Sequence, residues 1–317
     1  MSILLLDNGG GSAKVGLHED LAVQYGAAPP EKIPDPIVLP NLTAKVQKSM
    51  QYLVSDQVND FLNASLLTFV RPFERGYMTN VQCELEVWSH IFQDKCRVKP
   101  YETTLVLTEP LLNLPSIQND LNEVVFEYFN FQSYLRQPAP CFTAYSQTRS
   151  DPQLNLGLTV VDSGFSFTHI VPFIQNKLQK HAVKRINIGG KLLTNYLKEL
   201  VSYRQWNMMD EFILMNQIKE QLCYVSDNLV KDLEEGRKLS RAQRVEGMRD
   251  HLGGRLKKHF VLPDFQNVLK GYVKPDVEPI EPHEQVILTS SWHTIEYSSW
   301  VLPPSFLRSL SLSRHLN

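Results

Sequence analysis

The stretch Ile3-Leu4-Leu5-Leu6-Asp7-Asn8-Gly9-Gly10-Gly11-Ser12 decides how this chain is read. Four consecutive apolar residues predict a strand buried on both faces. The strand runs into an aspartate and a turn too rich in glycine for a helix, which suits close backbone approach to another group. The same grammar returns at Leu158-Thr159-Val160-Val161, which ends in Asp162-Ser163-Gly164. There His169-Ile170-Val171-Pro172 reads as the partner strand of a hairpin. A strand that delivers a carboxylate to a small-residue turn offers a hard oxygen ligand together with exposed N–H groups. That pairing suits a phosphate chain carrying Mg²⁺. Asp7 and Asp162 are the candidate metal ligands. Gly9, Gly10, Gly11, Ser12, Ser163 and Gly164 supply the phosphate turns, and Lys14 is within reach to neutralise phosphate charge. No GxxxxGK[ST] occurs, and no GxGxxG follows the first strand, so neither a P-loop nor a dinucleotide fold is supported. One Asp-Gly turn is a weak signal, since these residues cap turns for local reasons. A matched pair in two halves of a chain says more.

Outward from the first turn, residues 27 to 43 hold Pro29, Pro30, Pro34, Pro36 and Pro40 and read as loop or edge structure. Val54 to Phe61 is weakly helical. Arg71-Pro72-Phe73-Glu74-Arg75-Gly76 is a turn before an amphipathic helix carrying Leu85, Val87, Trp88, Ile91 and Phe92. Thr104 to Thr108 is a strand stopped by Glu109-Pro110. Pro115-Ser116 opens a helix with Leu121, Val124, Val125 and Tyr128 on one face. Beyond the second turn, Asn187-Ile188-Gly189-Gly190 leads into a helix with Leu192, Leu193, Tyr196, Leu197 and Leu200. A further helix, roughly Phe212 to Val225, carries Ile213, Ile218, Leu222 and Val225. Strands separated by helices in both halves predict an α/β architecture.

The chain has 317 residues, 43% of them hydrophobic and 21% charged, which suits two domains and a sizeable core. Thirty-two Lys and Arg against 34 Asp and Glu give a net charge of -2, so the chain is not a bulk polyanion binder. Cys83, Cys96, Cys141 and Cys223 are too few and too scattered for a disulfide scaffold, and no CxxC pair offers a structural zinc site. The run Ile3 to Leu6 ends at Asp7 and reads as neither a signal peptide nor a membrane span. Residues 231 to 259 are the charge-dense stretch, with nine Lys and Arg against five Asp and Glu and a local net of +4. They read either as a solvated face or as a docking surface for an acidic partner or nucleic acid. The tail after Pro279, with Trp292 and Trp300, shows no clean period.

Asp7 to Gly16 resembles the first phosphate loop of the actins, and Asp162 to His169 resembles their second. Ile218-Lys219-Glu220, followed by Leu222-Cys223-Tyr224-Val225, is similar to the actin segment that borders the adenosine. Within that superfamily, Arg71 to Tyr77, Asn130-Phe131-Gln132-Ser133 and Asn187 to Tyr203 resemble the actin-related protein 6 family. The resemblance covers residues 1 to about 280. It implies a two-lobed, ribonuclease-H-like duplicated α/β fold around a nucleotide cleft. The expected first lobe is 1–150, and the second is 151–280 with the charged insert 231–259. A divergent tail follows over 281–317. Lys219 and Glu220 are expected to border the adenosine, and ATP with Mg²⁺ to bind weakly or vestigially. The implied role is that of a non-catalytic subunit in a nuclear, ATP-dependent chromatin-remodelling complex that exchanges a core histone for its variant. The implied partners are the motor ATPase and other subunits, and nucleosomes or histones through the complex, with no membrane and no filament. Residence is expected in the nucleus, with the cytoplasm as a second compartment.

Three departures qualify the resemblance. Phe165 puts a bulky ring into the second turn, where it crowds the phosphate approach. The glutamine that positions the attacking water in actins falls near Pro138-Ala139-Pro140, where no side chain orients or deprotonates water. His169 matches the histidine beside that water and is left with half a site. Beyond about residue 285 the family's closing segment has no counterpart, which reads as a truncated or alternatively spliced product or a mis-joined gene model. Two other readings stay open: an ATP-hydrolysing sugar-kinase or chaperone relative of the same fold, and a filament-forming actin.

Overall fold

The computed structural model describes residues 2–18, 35–47, 49, 51–61, 66–246, 257–264, 268–275 and 285–290. In chain order come β1 (Ser2–Asn8), β2 (Ser12–His18) and β3 (Ile37–Pro40), then the short strands β4 (Thr43–Val46), β5 (Tyr52–Val54) and β6 (Leu67–Val70). A tight hairpin, β7 (Phe73–Glu74) and β8 (Tyr77–Met78), precedes α1 (Val81–Ser89). Next are β9 (Thr103–Glu109), α2 (Pro115–Glu123), β10 (Ser133–Pro138) and α3 (Ala139–Ser150). The second turn lies between β11 (Leu158–Ser163) and β12 (Thr168–Ile174), followed by β13 (Lys177–Leu178) and β14 (Lys184–Ile186). The remainder holds α4 (Gly190–Arg204), α5 (Phe212–Leu222), α6 (Leu229–Glu246), β15 (Lys257–Val261), β16 (Tyr272–Lys274) and β17 (Val286–Ser290).

The chain divides into two compact units, one within residues up to Lys191 and one from Leu192 onward. The first unit is built on a five-stranded sheet in the order β10-β9-β1-β2-β3. β9 runs parallel to both β1 and β10, while β1, β2 and β3 are antiparallel neighbours. Leu4, Leu6, Ala13, Val15, Leu105 and Leu107 line one face and pack on Val87, Trp88, Ile91 and Phe92 and on Leu121 and Val125. Aromatic rings fill the centre: Phe92 meets Phe129 at 5.0 Å and Phe131 at 5.2 Å, both edge-on. The predicted burial of β1 on both faces does not hold, because Leu5 is 48% exposed beside fully buried Leu4. Leu5, Val106 and Leu135 align across three strands on the opposite, half-open face. β11 to β14 form a second sheet in the same unit, centred on β12.

Both predicted amphipathic helices of this unit end in a wider winding than the apolar pattern shows. α1 widens into a π-wound turn over His90–Lys95, and α2 does the same over Val124–Tyr128. His90 is buried between two carboxylates, with Nε2 2.7 Å from Asp56 and Nδ1 2.7 Å from Asp94. The wider winding also turns Tyr128 outward, where it is 60% exposed rather than on the core face.

In the second unit, Leu197 and Val201 of α4 pack with Met215 and Ile218 of α5 and with Phe260 and Ile287 of the β16-β15-β17 sheet. α5 stops at Leu222, so the expected apolar position Val225 lies past its end and is 69% exposed. Residues 247–256 of the charge-dense stretch lie outside the described residues, as do Trp292 and Trp300.

Candidate functional site

The first unit brings the two glycine turns together. In each hairpin the aspartate sits at the end of the incoming strand opposite a basic side chain: Asp7 is in register with Lys14, and Asp162 with His169. Lys14 Nζ lies 2.7 Å from Asp7 Oδ2, and the Thr108 hydroxyl donates to Asp7 Oδ1 at 2.7 Å. The Asn8 N–H donates to Thr108 Oγ1 at 2.9 Å, which ties the strand end to β9. Asp162 is half-buried, and its carboxyl is held above the usual carboxylate range. Burial is the main cause, the Asp7 charge adds to it, and Lys14 opposes it. Asp7, Lys14 and Asp162 therefore form one electrostatic group. Among the described residues no cluster of three or more His, Cys, Asp or Glu could hold a metal ion.

Below the first turn is a buried polar support that the sequence reading did not single out. Asn8 Nδ2 donates to Glu84 Oε1 at 2.5 Å, and Asn41 Nδ2 donates to Asn8 Oδ1 at 3.1 Å and to the Gly9 carbonyl at 3.0 Å. The Asn41 N–H donates to the Gly11 carbonyl at 3.1 Å. Glu84 sits on α1 among apolar residues, and burial pushes its carboxyl up to about 7 against the pull of the Asn8 and Asn41 hydrogen bonds. A glutamate at a core position of an amphipathic helix was the available signal.

The second turn is held from behind. The Gly164 N–H donates to the Phe167 carbonyl at 2.9 Å. The first N–H groups of α4 are used in the same place, Gly190 on the Gly164 carbonyl at 3.0 Å and Lys191 on the Phe165 carbonyl at 2.8 Å. A side chain at Gly189 would lie 2.6 Å from the Phe165 carbonyl oxygen, so this crossing requires glycine. His169 is buried with its ring 4.2 Å from Phe167. Burial, then the Arg185 charge, pushes its imidazole down to about 4. At neutral pH it is an uncharged and weak base.

The resemblance puts the water-positioning glutamine at a strand end and a helix start in this chain. Pro138 ends β10, Ala139 opens α3, and neither carries a proton acceptor on its side chain. Gln137 instead lines a cavity of about 720 Å³ together with Glu109, Arg136, Cys141 and Lys180. There Arg136 Nε lies 3.2 Å from Glu109 Oε2.

The residues expected at the adenosine belong to the second unit. Lys219 Nζ donates to Thr194 Oγ1 and Asn216 Oδ1, both at 2.9 Å, and burial lowers its ammonium pKa. Glu220 accepts from Asn216 Nδ2 at 2.8 Å. Both side chains are thus engaged within α4 and α5.

Whether a phosphate chain fits between the turns is decided at Gly10 and Gly11. A side-chain carbon on Gly11 would lie 2.8 Å from the Phe165 ring, and one on Gly10 would lie 3.2 Å from Ser166 Oγ and 3.3 Å from Phe73. The faces that the glycines leave bare are already covered. As these residues stand, the side-chain face of Gly11 is closed to a phosphate by the Phe165 ring.

Paired strand-Asp-turn hairpins on an α/β framework agree with an actin-like α/β fold, and the family described as Actin matches residues 1–274. The chain is 39% identical over 285 residues to actin-related protein 6 of Arabidopsis thaliana, covering 86% of this chain and 61% of that relative. It is 36% identical to actin-related protein 6 of Oryza sativa subsp. indica, covering 86% and 59%. It is 32% identical to actin-related protein 6 of Drosophila melanogaster, covering 91% and 68%. The chain spans about three fifths of the length of the first of these relatives. The chain belongs to the actin family and, within it, to the actin-related protein 6 group.

Proposed function

We propose that this chain acts as a structural, non-catalytic subunit of a nuclear, ATP-dependent chromatin-remodelling complex that replaces a core histone with its variant. In this reading it holds a module against the motor ATPase and contributes to nucleosome contact. Its proposed lobes, 1–150 and 151–280 with a tail over 281–317, are drawn differently from the two compact units, which divide after Lys191. The carrying observation is the similarity, at 32% to 39% identity, to actin-related protein 6 proteins of a plant and a fly. Nucleotide has at most a weak place, with Asp7 and Asp162 toward Mg²⁺, Gly9 to Ser12, Lys14, Ser163 and Gly164 toward phosphate, and Lys219 and Glu220 toward the adenosine. Co-purification with a large nuclear assembly is the direct test. Recovery only as a free monomer would overturn the reading.

The rival reading, an ATP-hydrolysing relative of the fold, needs a group within about 3 Å of a water to take its proton. The imidazole of His169, pushed down to about 4, and the Pro138-Ala139-Pro140 corner offer no adequate base. Steady-state phosphate release is expected at background level. Turnover abolished by His169→Ala would establish the rival.

Residues 231 to 259 are the proposed docking surface. α6 covers Leu229–Glu246, and residues 247–256 lie outside the described ones. The helix is anchored by Asp232, which accepts from the Ser226 hydroxyl at 2.6 Å and the Tyr224 hydroxyl at 3.2 Å. Reversing Arg237, Lys238, Arg241 and Arg244 to glutamate is expected to weaken recovery of the remodeller core severalfold, more so at low salt. Equal recovery by the folded variant at both salt concentrations would make the stretch an ordinary solvated face.

A further inference from the structure

We infer that Phe165 is a built-in occupant of the phosphate cradle, bridging the two turns with its own ring where a ligand's phosphates would bridge them. The inference rests on reading these turns as phosphate turns, and it concerns what controls access to them. Gly11 does not adopt a positive φ, so its conformation does not demand glycine. What the missing side chain provides is space, and that space is taken by Phe165, whose Cδ2 and Cγ would both lie 2.8 Å from a carbon placed there. The ring is also held by a cation: the Arg71 guanidinium carbon is 4.9 Å from its centroid. Arg71 is largely buried, and desolvation lowers its pKa to about 10. That is a cost an exposed arginine would not carry.

The backbone of residue 165 has little freedom to withdraw the ring. Its carbonyl accepts from Lys191, and Gly189 passes close behind it. Three groups placed to meet a phosphate already have partners within the chain. Lys14 is on Asp7, and the N–H groups of Gly164 and Gly190 have carbonyl partners. In this reading the two turns are bridged by an aromatic ring, and a phosphate chain enters only by displacing that ring.

Titration of the full chain with MgATP, by calorimetry and by thermal melting, tests this. The wild type is expected to stay unsaturated to about 1 mM and to show no rise in Tm. Phe165→Gly opens the cradle. It is expected to bind at least about tenfold more tightly and to gain a Tm rise with MgATP, by mass action on the folded state. Phe165→Leu keeps an apolar occupant and should remain as insensitive as the wild type. Saturation of the wild type at micromolar MgATP would overturn the inference, and so would a folded Phe165→Gly that gains no affinity. Should Phe165→Gly not fold by circular dichroism, Phe165→Ser is judged by the same criterion, and the wild-type titration stands by itself. Pull-down of remodeller subunits separates this from the functional reading. A chain that binds MgATP tightly and is still recovered with the complex sinks the ring's role alone.

Discussion

Replacing Glu84 with glutamine is expected to unmask a stability that climbs by about 3 kcal/mol from pH 4 to pH 6.5, a climb nearly cancelled in the wild type. Two buried groups of the first unit pull in opposite directions. Glu84 is pushed up from 4.5 to about 7, so between those values the folded chain holds a proton that the unfolded chain has lost. Its contribution is fully present below the unfolded value and is lost as pH rises to about 7. His169 is pushed down from 6.5 to about 4, so in that window the unfolded chain takes up a proton that the folded chain refuses. Its contribution is present above 6.5 and is lost as pH falls toward 4.

Each of these displacements corresponds to about 3 kcal/mol, and the windows overlap almost completely. Glutamine keeps an oxygen for Asn8 and supplies a neutral donor in place of the acid proton, so Glu84→Gln removes one slope and leaves the other. His169→Gln should do the reverse, giving a stability that falls as pH rises. Urea denaturation of the two variants and the wild type at half-unit steps from pH 4 to 7.5 measures all three slopes. Parallel curves for Glu84→Gln and the wild type would mean that Glu84 is already ionised in the fold.

This pair also shows which parts of the site were legible in the sequence. Asp7, Lys14 and Asp162 were readable because a strand-Asp-turn unit is local, and its geometry follows from a run of apolar residues and the glycines after it. Glu84 was not, because its meaning depends on Asn8 and Asn41, which β1 and the loop after β3 bring to it from far away in sequence. Phe165 was legible as a bulky residue in a small-residue turn. Its seat on Gly11 was not, since nothing in either segment states that the two hairpins touch. Most strands and helices stand where their apolar residues predict, but the open face of β1, the end of α5 at Leu222 and the π-wound ends of α1 and α2 do not follow from that pattern. A 3.6-residue pattern cannot announce the turn at which it is abandoned. Likewise the lysine and glutamate at 219 and 220 were found by resemblance, while their hydrogen bonds to Thr194 and Asn216 depend on how α4 and α5 pack.

Gly76→Ala is expected to cost about 3 kcal/mol of stability, more than half of it through a ring far away in sequence. Arg75 and Gly76 form the tip of the β7-β8 hairpin, with φ of 49° and 83°, the left-handed pair that a two-residue hairpin turn requires. An alanine there carries the ordinary strain of a positive φ, roughly 1 kcal/mol. The greater part of the loss is steric. A Cβ at position 76 would stand 1.7 Å from Cε1 of Phe167, and the ring would have to leave. Phe167 is pinned between that tip and Arg185, whose guanidinium carbon is 4.5 Å from its centroid. Arg185 in turn donates to the Arg75 carbonyl at 2.7 Å and to the Tyr77 hydroxyl at 3.1 Å. Expelling the ring therefore loosens the hairpin, the arginine and the second turn together. In a Phe167→Ala background the clash disappears, and Gly76→Ala should then cost only about 1 kcal/mol, a coupling visible in a double-mutant cycle. Equal costs in the two backgrounds, measured by urea denaturation, would place the whole effect in the backbone at residue 76 and leave Phe167 no part in it.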